Sequence, residues 1–454
     1  MFLIGNGKVI TRDPSRPFIE NGAVAVEGDS IVGAGTYREL KKRFPRAEEI
    51  DAKGGVIMPG LINAHTHFYG AMLKGSALCC REPRTVCDVL AGRSWKLDRN
   101  MELIDCVNAA YASLIECIRN GVTAVFDHHA SYGCISGSLP AVAGAVEEAG
   151  IRACLAFETS ERCGYEACCR AIDENADFID YCAVYGGDRL RAMFGLHAPF
   201  TLSDLDISAC VRKNGGRVGF HTHVSEGLDD LYYCRVNYGK DPVERLDELG
   251  VLDDRAILAH CVHVSESEIE LIRKSGAAVV NMPQSNMNNG VGAAPVSKML
   301  EKGVKVGLGT DNYASDMLES ARAYVLLSRH ESHDPGAGLD EAAAMLFSFN
   351  RDIASRAFGK ELGVIREGAA ADIVIMDFRP FTGFNAENAD AHLIMGGCGR
   401  MCSMTMAAGK VLMLDGKLTA LDEEKLAERI RRSSEKLWKR IDERAEYEWT
   451  PVIS

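Results

Sequence analysis

From residue 56 to about residue 307 the chain alternates short apolar runs with longer amphipathic ones, and no other feature constrains its fold as strongly. The apolar runs are Val56–Ile62, Ala124–Phe126, Ala153–Phe157, Ala192–Leu196, Val218–His221, Ala256–Leu258, Ala278–Asn281 and Val304–Gly307. Helical stretches such as Met101–Asn120, Pro242–Glu248, Ser265–Lys274 and Pro295–Lys302 lie between them. Strands joined by crossovers of this length pair in parallel, and their buried faces read as continuous apolar runs. Eight such units predict a (β/α)8 TIM-type barrel over residues 57–362.

Both ends of the chain have a different texture. Phe2-Leu3-Ile4, Gly5-Asn6-Gly7 and Lys8-Val9-Ile10 read as a tight hairpin, and Ala23–Val26, Glu27-Gly28-Asp29 and Ser30–Val32 as a second. After residue 363 short strands return at Ala371–Met376, Met404–Ala407 and Lys410–Met413. We expect residues 1–56 and 363–420 to build one small composite β-sandwich domain. Residues 421–454 then form a C-terminal helix and tail, with Asp422 as its N-cap and Leu426, Ile430, Leu437 and Ile441 on one face.

The chain has 454 residues, 47% of them hydrophobic, which is enough for a large core. A net charge of −13 argues against a nucleic-acid partner, whose phosphates require basic surface. No apolar run approaches a membrane span, and the first ten residues lack the regions of a signal peptide. The expectation is a soluble, cytoplasmic protein without a membrane partner. Its sixteen cysteines are scattered, with adjacent pairs at Cys79-Cys80 and Cys168-Cys169 and no CxxC spacing, so they read as free thiols.

Chemistry-bearing residues cluster where the barrel strands end, the face on which such barrels place their active sites. His65 and His67 close the first apolar run; with a strand period of two, both imidazoles project from one face. His221 and His223 repeat the spacing, with Glu226 three residues later. His197 follows the fourth run, His260 the sixth, and Asp311 the glycine-rich Gly307-Leu308-Gly309-Thr310. A single buried histidine is usually a satisfied core residue, and a strand-end aspartate is often a cap. Their recurrence at successive strand ends is what points to a metal centre.

Pro59–His67, His223-Val224-Ser225-Glu226, Ala259-His260-Cys261-Val262-His263, Asn281–Asn286 and Leu308-Gly309-Thr310-Asp311 together resemble the amidohydrolase superfamily. The likeness is to its deaminase and chlorohydrolase branch and covers nearly the whole chain. Asp127-His128-His129-Ala130-Ser131 and Phe157–Arg162 are similar to SsnA-type aminohydrolases within that branch. Met282 departs from the pattern, since the branch has Asn directly before Pro.

The resemblance implies that His65, His67, His223 and Asp311 hold one divalent metal per subunit, with zinc favoured and iron(II) accepted by the same donors. It implies that Asp311 takes a proton from a water activated at that metal. Glu226 would protonate a ring nitrogen of the substrate, and His260 would orient the nucleophile. Binuclear relatives need a carboxylated lysine at the end of strand four; here the segment reads Met193-Phe194-Gly195-Leu196-His197-Ala198-Pro199, so a mononuclear site is expected. The reading is an aminohydrolase of purine-metabolism type, releasing ammonia from a purine, pterin or pyrimidine. Its alternatives are a hydrolase expelling halide or alkylamine, a cyclic-amide hydrolase, and a non-catalytic barrel. His197, His128, Glu158 and Arg162 are the candidate substrate contacts, with His129 beside them, in a polar rim after strands two to four. His221 is expected to support the centre without ligating, and relatives of this kind imply a homo-oligomer, dimer or tetramer.

Overall fold

The computed structural model describes residues 1–76 and 83–443, so the Cys79-Cys80 pair and the last eleven residues lie outside the described residues. Eight parallel strand positions form the barrel: Leu61–Thr66, Val122–His129, Arg152–Phe157, the pair Leu190–Ala192 and Phe194–Leu196, then Phe220–Val224, Ile257–His260, Ala278–Asn281 and Lys305–Leu308. The ladder is interrupted at Met193, whose N–H still donates to the Leu155 carbonyl at 3.1 Å. Closure is made between the last and first strands. Thr310 and Asp311 N–H groups donate to the His65 carbonyl at 3.0 and 3.1 Å. Gly309 permits that approach, because a Cβ there would stand 2.7 Å from the His65 oxygen.

Helices cover the outside, and their ends are written in the sequence. Ser203 and Ser265 cap Asp204–Asn214 and Glu266–Ser275, each answered by a carboxylate three residues on, Asp206 and Glu268. Caps of this kind start each helix sharply, and the strand-to-helix loops they define carry the site residues.

Both chain ends join one nine-stranded sheet. Its central seam is Val56–Pro59, parallel to Phe2–Ile10 and antiparallel to Ile373–Met376. Ile4, Val24 and Ile57 share an apolar cluster with Ile375, Met404 and Met406, so the two ends stabilise each other. Two expectations are corrected here. Val56–Ile62 is not one barrel strand: at Gly60 the chain passes from the end sheet into the barrel, whose first strand starts at Leu61. Phe2–Ile10 is one continuous strand rather than a hairpin, because Gly7 serves close packing and not a turn; a Cβ on it would meet the Gly55 carbonyl at 2.7 Å. The hairpin at Gly28 is present, joining Phe18–Glu27 to Ser30–Thr36.

Barrel and sheet are locked by a buried ion pair. Arg152 opens the third barrel strand and donates from Nε to Asp372 Oδ2 at 3.0 Å, both side chains almost wholly enclosed. The last described helix, Glu423–Glu443, lies on helix Leu103–Arg119, burying Leu426, Leu437 and Ile441 as its periodicity requires. Asp422 accepts from the Lys425 N–H at 3.1 Å, as an N-cap does. Trp438 Nε1 reaches the Met72 carbonyl at 2.8 Å, in the short helical segment Phe68–Leu73 that follows His67. Among the described residues no helix is long and apolar enough to cross a membrane.

Candidate active site

The strand ends converge on one centre. His65 and His67 are edge-to-face, with ring centroids 4.8 Å apart, and His223 stacks on His67 at 5.2 Å. His223 Nε2 is 3.2 Å from His67 Nε2, which is 3.0 Å from Asp311 Oδ1. The outward nitrogens are committed. His67 Nδ1 donates to the His128 carbonyl at 2.6 Å and His223 Nδ1 to the His197 carbonyl at 2.8 Å. His65 Nδ1 is 2.8 Å from His221 Nε2, while His65 Nε2 is buried with no partner. Fixing each Nδ1 in this way aims the Nε2 lone pairs inward.

Ligand atoms of His65, His67 and Asp311 lie within 4.8 Å of one another, as do those of His65, His223 and His260, and such a crowd of nitrogen and oxygen lone pairs is relieved by a cation among them. Burial holds His65 well below the ordinary imidazole value, with the neighbouring imidazoles acting the same way, and brings His223 down to about 4. Both are therefore neutral, the form that binds metal. For His67, burial works against the cation, but Asp311 and Glu158 hold its value well above the ordinary one. The centre calls for positive charge at this spot, and neutral imidazoles plus a carboxylate fit a divalent ion.

Around this centre the chain bends into left-handed backbone at Ser225, His260, Cys261 and Asp311, none of them glycine. Such residues cost about 1–3 kcal/mol each and collect at functional sites, where surrounding structure holds them. Here the turns bring the His260 and Asp311 side chains onto a common cavity of about 330 Å³ with His67, His223 and Glu226. Ser285 donates to Asp311 Oδ2, and Asn312 Nδ2 to Oδ1 at 3.2 Å. His260 Nδ1 donates to Asn286 Oδ1 at 2.8 Å, leaving Nε2 3.6 Å from Glu226 Oε2. Asn289 Nδ2 donates to the other Glu226 oxygen at 2.9 Å. Burial raises the Glu226 carboxyl; His260 and Asn289 oppose that shift and Asp311 adds to it.

The four candidate substrate contacts divide. Glu158 and His197 line the cavity. His128 and Arg162 do not: they are buried behind it, away from the polar recognition rim expected for them from the sequence. The second barrel strand runs on to His129 instead of ending at Phe126, which draws His128 and His129 into the interior. The His128 ring packs against His221 and His223 at 4.7 and 4.8 Å. Arg162 pairs with Asp98, lies over the Tyr132 ring at 4.1 Å and stands 3.9 Å from Glu158 Oε2. Burial works to raise Glu158, but His67 and the other imidazoles hold it down at about 2. Asp98, Ser285, Asn286 and Asn289 were not singled out for the site by sequence reading, although Ser285 and Asn286 stand within a motif it quoted.

A family model described as the amidohydrolase family matches residues 56–412, which include every residue of this centre. The chain belongs to the amidohydrolase family. An amidohydrolase is a hydrolase, and this one carries the centre of an enzyme acting on carbon–nitrogen bonds other than peptide bonds. Similar proteins include the 5'-deoxyadenosine deaminase of Methanosarcina mazei, 31% identical over 97% of this chain and 99% of that protein. The 5-methylthioadenosine/S-adenosylhomocysteine deaminase of Thermococcus sibiricus is 33% identical over 91% and 94% of the two chains. Among solved structures, an adenosine deaminase from Xanthomonas campestris with bound zinc has a TM-score of 0.85 at 22% identity, covering 96% of this chain and 98% of that one. A variant atrazine chlorohydrolase from Arthrobacter aurescens, complexed with zinc and atraton, has a TM-score of 0.81 at 25% identity, covering 96% and 100%. The amidohydrolase centre described above therefore sits in a barrel shared with deaminases and chlorohydrolases.

Proposed function

We propose that this amidohydrolase deaminates an amino-substituted nitrogen heterocycle, of purine, pterin or pyrimidine type, with water, releasing ammonia. In this reading His65, His67, His223 and Asp311 hold one divalent ion, zinc by preference and iron(II) as the other ion these donors accept. The observation that carries it is Glu226, a half-buried carboxyl on the same cavity as Asp311 and 3.6 Å from His260. Deamination needs two proton-handling groups on one cavity, one for the water and one for the ring nitrogen. Relatives named as deaminases of adenosine derivatives support the purine type, and a zinc-bound neighbour at 25% identity supports the ion.

An ion bound here supplies a water that acts as a nucleophile at neutral pH. Asp311, held by Ser285 and Asn312, receives the proton that this water loses. Burial shifts the Glu226 carboxyl towards its protonated form, and because Asn289 donates to Oε1, it is Oε2, the oxygen towards His260, that is free to carry the proton. From there it passes to the ring nitrogen, and the neighbouring amine-bearing carbon becomes open to attack. His260, fixed through Asn286, orients the incoming oxygen. The carbon–nitrogen bond then breaks, the amine leaves as ammonia with the proton returned through Asp311 or Glu226, and the ring keeps the oxygen. Expulsion of halide or alkylamine would use the same groups, and the likeness to atrazine chlorohydrolase supports that second reading. The strand-four segment Met193–Pro199 contains no lysine, which speaks against the binuclear cyclic-amide reaction.

A screen of aminopurines, pterins, aminopyrimidines and triazines against metal-loaded protein, following ammonia and halide, tests this. Ammonia release is expected, and Glu226→Gln should lower it by about 10²–10⁴-fold with bound metal unchanged. Wild-type turnover by that variant would falsify the proton-delivery role. Halide without ammonia would move the assignment to the second reading.

A further inference from the structure

The cavity holds four charged side chains that the proposed chemistry does not use: Lys74, Arg93, Glu158 and Asp230. Arg93 lies on its wall, between helices Val86–Gly92 and Ser94–Asp98. Among the described residues it makes no ion pair and donates no side-chain hydrogen bond, and its Nε is buried without a partner. The neighbouring charges are committed. Lys74, on the same wall, pairs with Glu116 at 2.7 Å, and Asp230 accepts from the Ser225 N–H at 2.7 Å. Tyr313, two residues beyond Asp311, lines the same cavity. A buried guanidinium N–H without an acceptor costs about 1–3 kcal/mol, so its retention asks for an occupant that supplies one.

We infer that the substrate carries an anionic group, a carboxylate in its simplest form, and that Arg93 receives it while the amino heterocycle faces Asp311 and Glu226. This rests on the deaminase reading and narrows its substrate class. The guanidinium fork matches two carboxylate oxygens, which a solvated lysine in its place would not do. Leu73, Val86, Leu90 and Phe200 supply apolar wall in the same cavity. The fitting ligand is thus a ring, a short apolar link and an acid.

Two matched pairs of compounds test it: adenine-9-acetate with 9-ethyladenine, and pterin-6-carboxylate with 6-methylpterin. Binding to zinc-loaded protein is measured by calorimetry, alongside ammonia release. In at least one pair the acid should bind about 10- to 100-fold more tightly than its neutral partner. Arg93→Gln should erase that difference through KM while sparing kcat, and Arg93→Lys should restore part of it. Melting curves of both variants establish that they fold. Equal binding within both pairs, equal losses for acid and neutral compound in Arg93→Gln, or no binding of either acid overturns the inference. Acid preference without ammonia from any compound leaves Arg93 assigned and removes the deaminase reading. Ammonia without acid preference does the reverse.

Discussion

The two ends of the barrel both hold cavities, and the contrast between them shows what marks a reactive site. The cavity at the strands' N-terminal end is the larger, about 630 Å³ against about 330 Å³ at the C-terminal end. Its arginines are already satisfied: Arg217 pairs with Asp180 at 2.7 Å, Arg356 stands 3.7 Å from Asp254, and Arg191 donates to the carbonyls of Gly187, Leu190 and Phe358. Its floor is apolar, from Phe126, Cys154, Met193 and Ile257. At the other end histidines and carboxylates crowd together with polar atoms left without a hydrogen-bond partner, such as His65 Nε2 and His128 Nε2. Volume does not separate the ends. Unsatisfied, mutually repelling donors do.

If the ends differ in this way, substitutions at them should fail differently. The largest effect is expected at the C-terminal end. His67→Ala should take bound zinc from about one ion per chain towards none, with hydrolysis following, while the melting temperature of the metal-free protein hardly moves. Elemental analysis showing full occupancy would exclude His67 as a ligand. Next comes Arg152→Ala, where the strands begin. Asp372 would be left buried without its partner, at a cost of about 3–5 kcal/mol in urea unfolding, with zinc content and turnover of the folded fraction retained. Unchanged stability there would remove the structural role assigned to that end.

A subtler effect concerns acid–base balance. Glu226 works as the acid, so kcat/KM falls as pH rises through its folded pKa, which burial places above the ordinary carboxyl value. The Asn289 hydrogen bond favours the carboxylate and so lowers that pKa. Asn289→Ala should therefore move the alkaline limb to higher pH, and a limb that moves down or stays put would contradict the assignment. The smallest effect returns to the N-terminal end. Arg217→Ala breaks an exposed pair and should change stability by less than about 1 kcal/mol and turnover not at all.

Much of the C-terminal end is legible in the sequence because strands repeat every two residues. His65 with His67, and His221 with His223, announce shared faces directly. The second pair reaches the first, with His221 Nε2 2.8 Å from His65 Nδ1. Partners brought in by tertiary packing are not legible. Asp98 and Arg162 are 64 residues apart, and nothing local marks them as a pair. Asn289 sits on the loop after a short helix, 63 residues from the carboxyl it holds. The departure of the chain from the end sheet at Gly60 is likewise hidden, since Val56–Ile62 is apolar on both sides of it. His128 read as part of a polar rim after the strand because periodicity shows where apolar residues stop, whereas the strand itself continues through polar ones.

The Trp438 indole, anchored to the Met72 carbonyl, has a practical corollary. Because that residue belongs to the turn leaving His67, and Tyr69 and Leu73 of the same turn wall the cavity, the last described helix is a brace for the catalytic floor rather than a removable appendage. Trimming the protein ahead of residue 438 would slacken a span hundreds of residues upstream, so a shortened version that keeps its zinc could still mishandle what it binds.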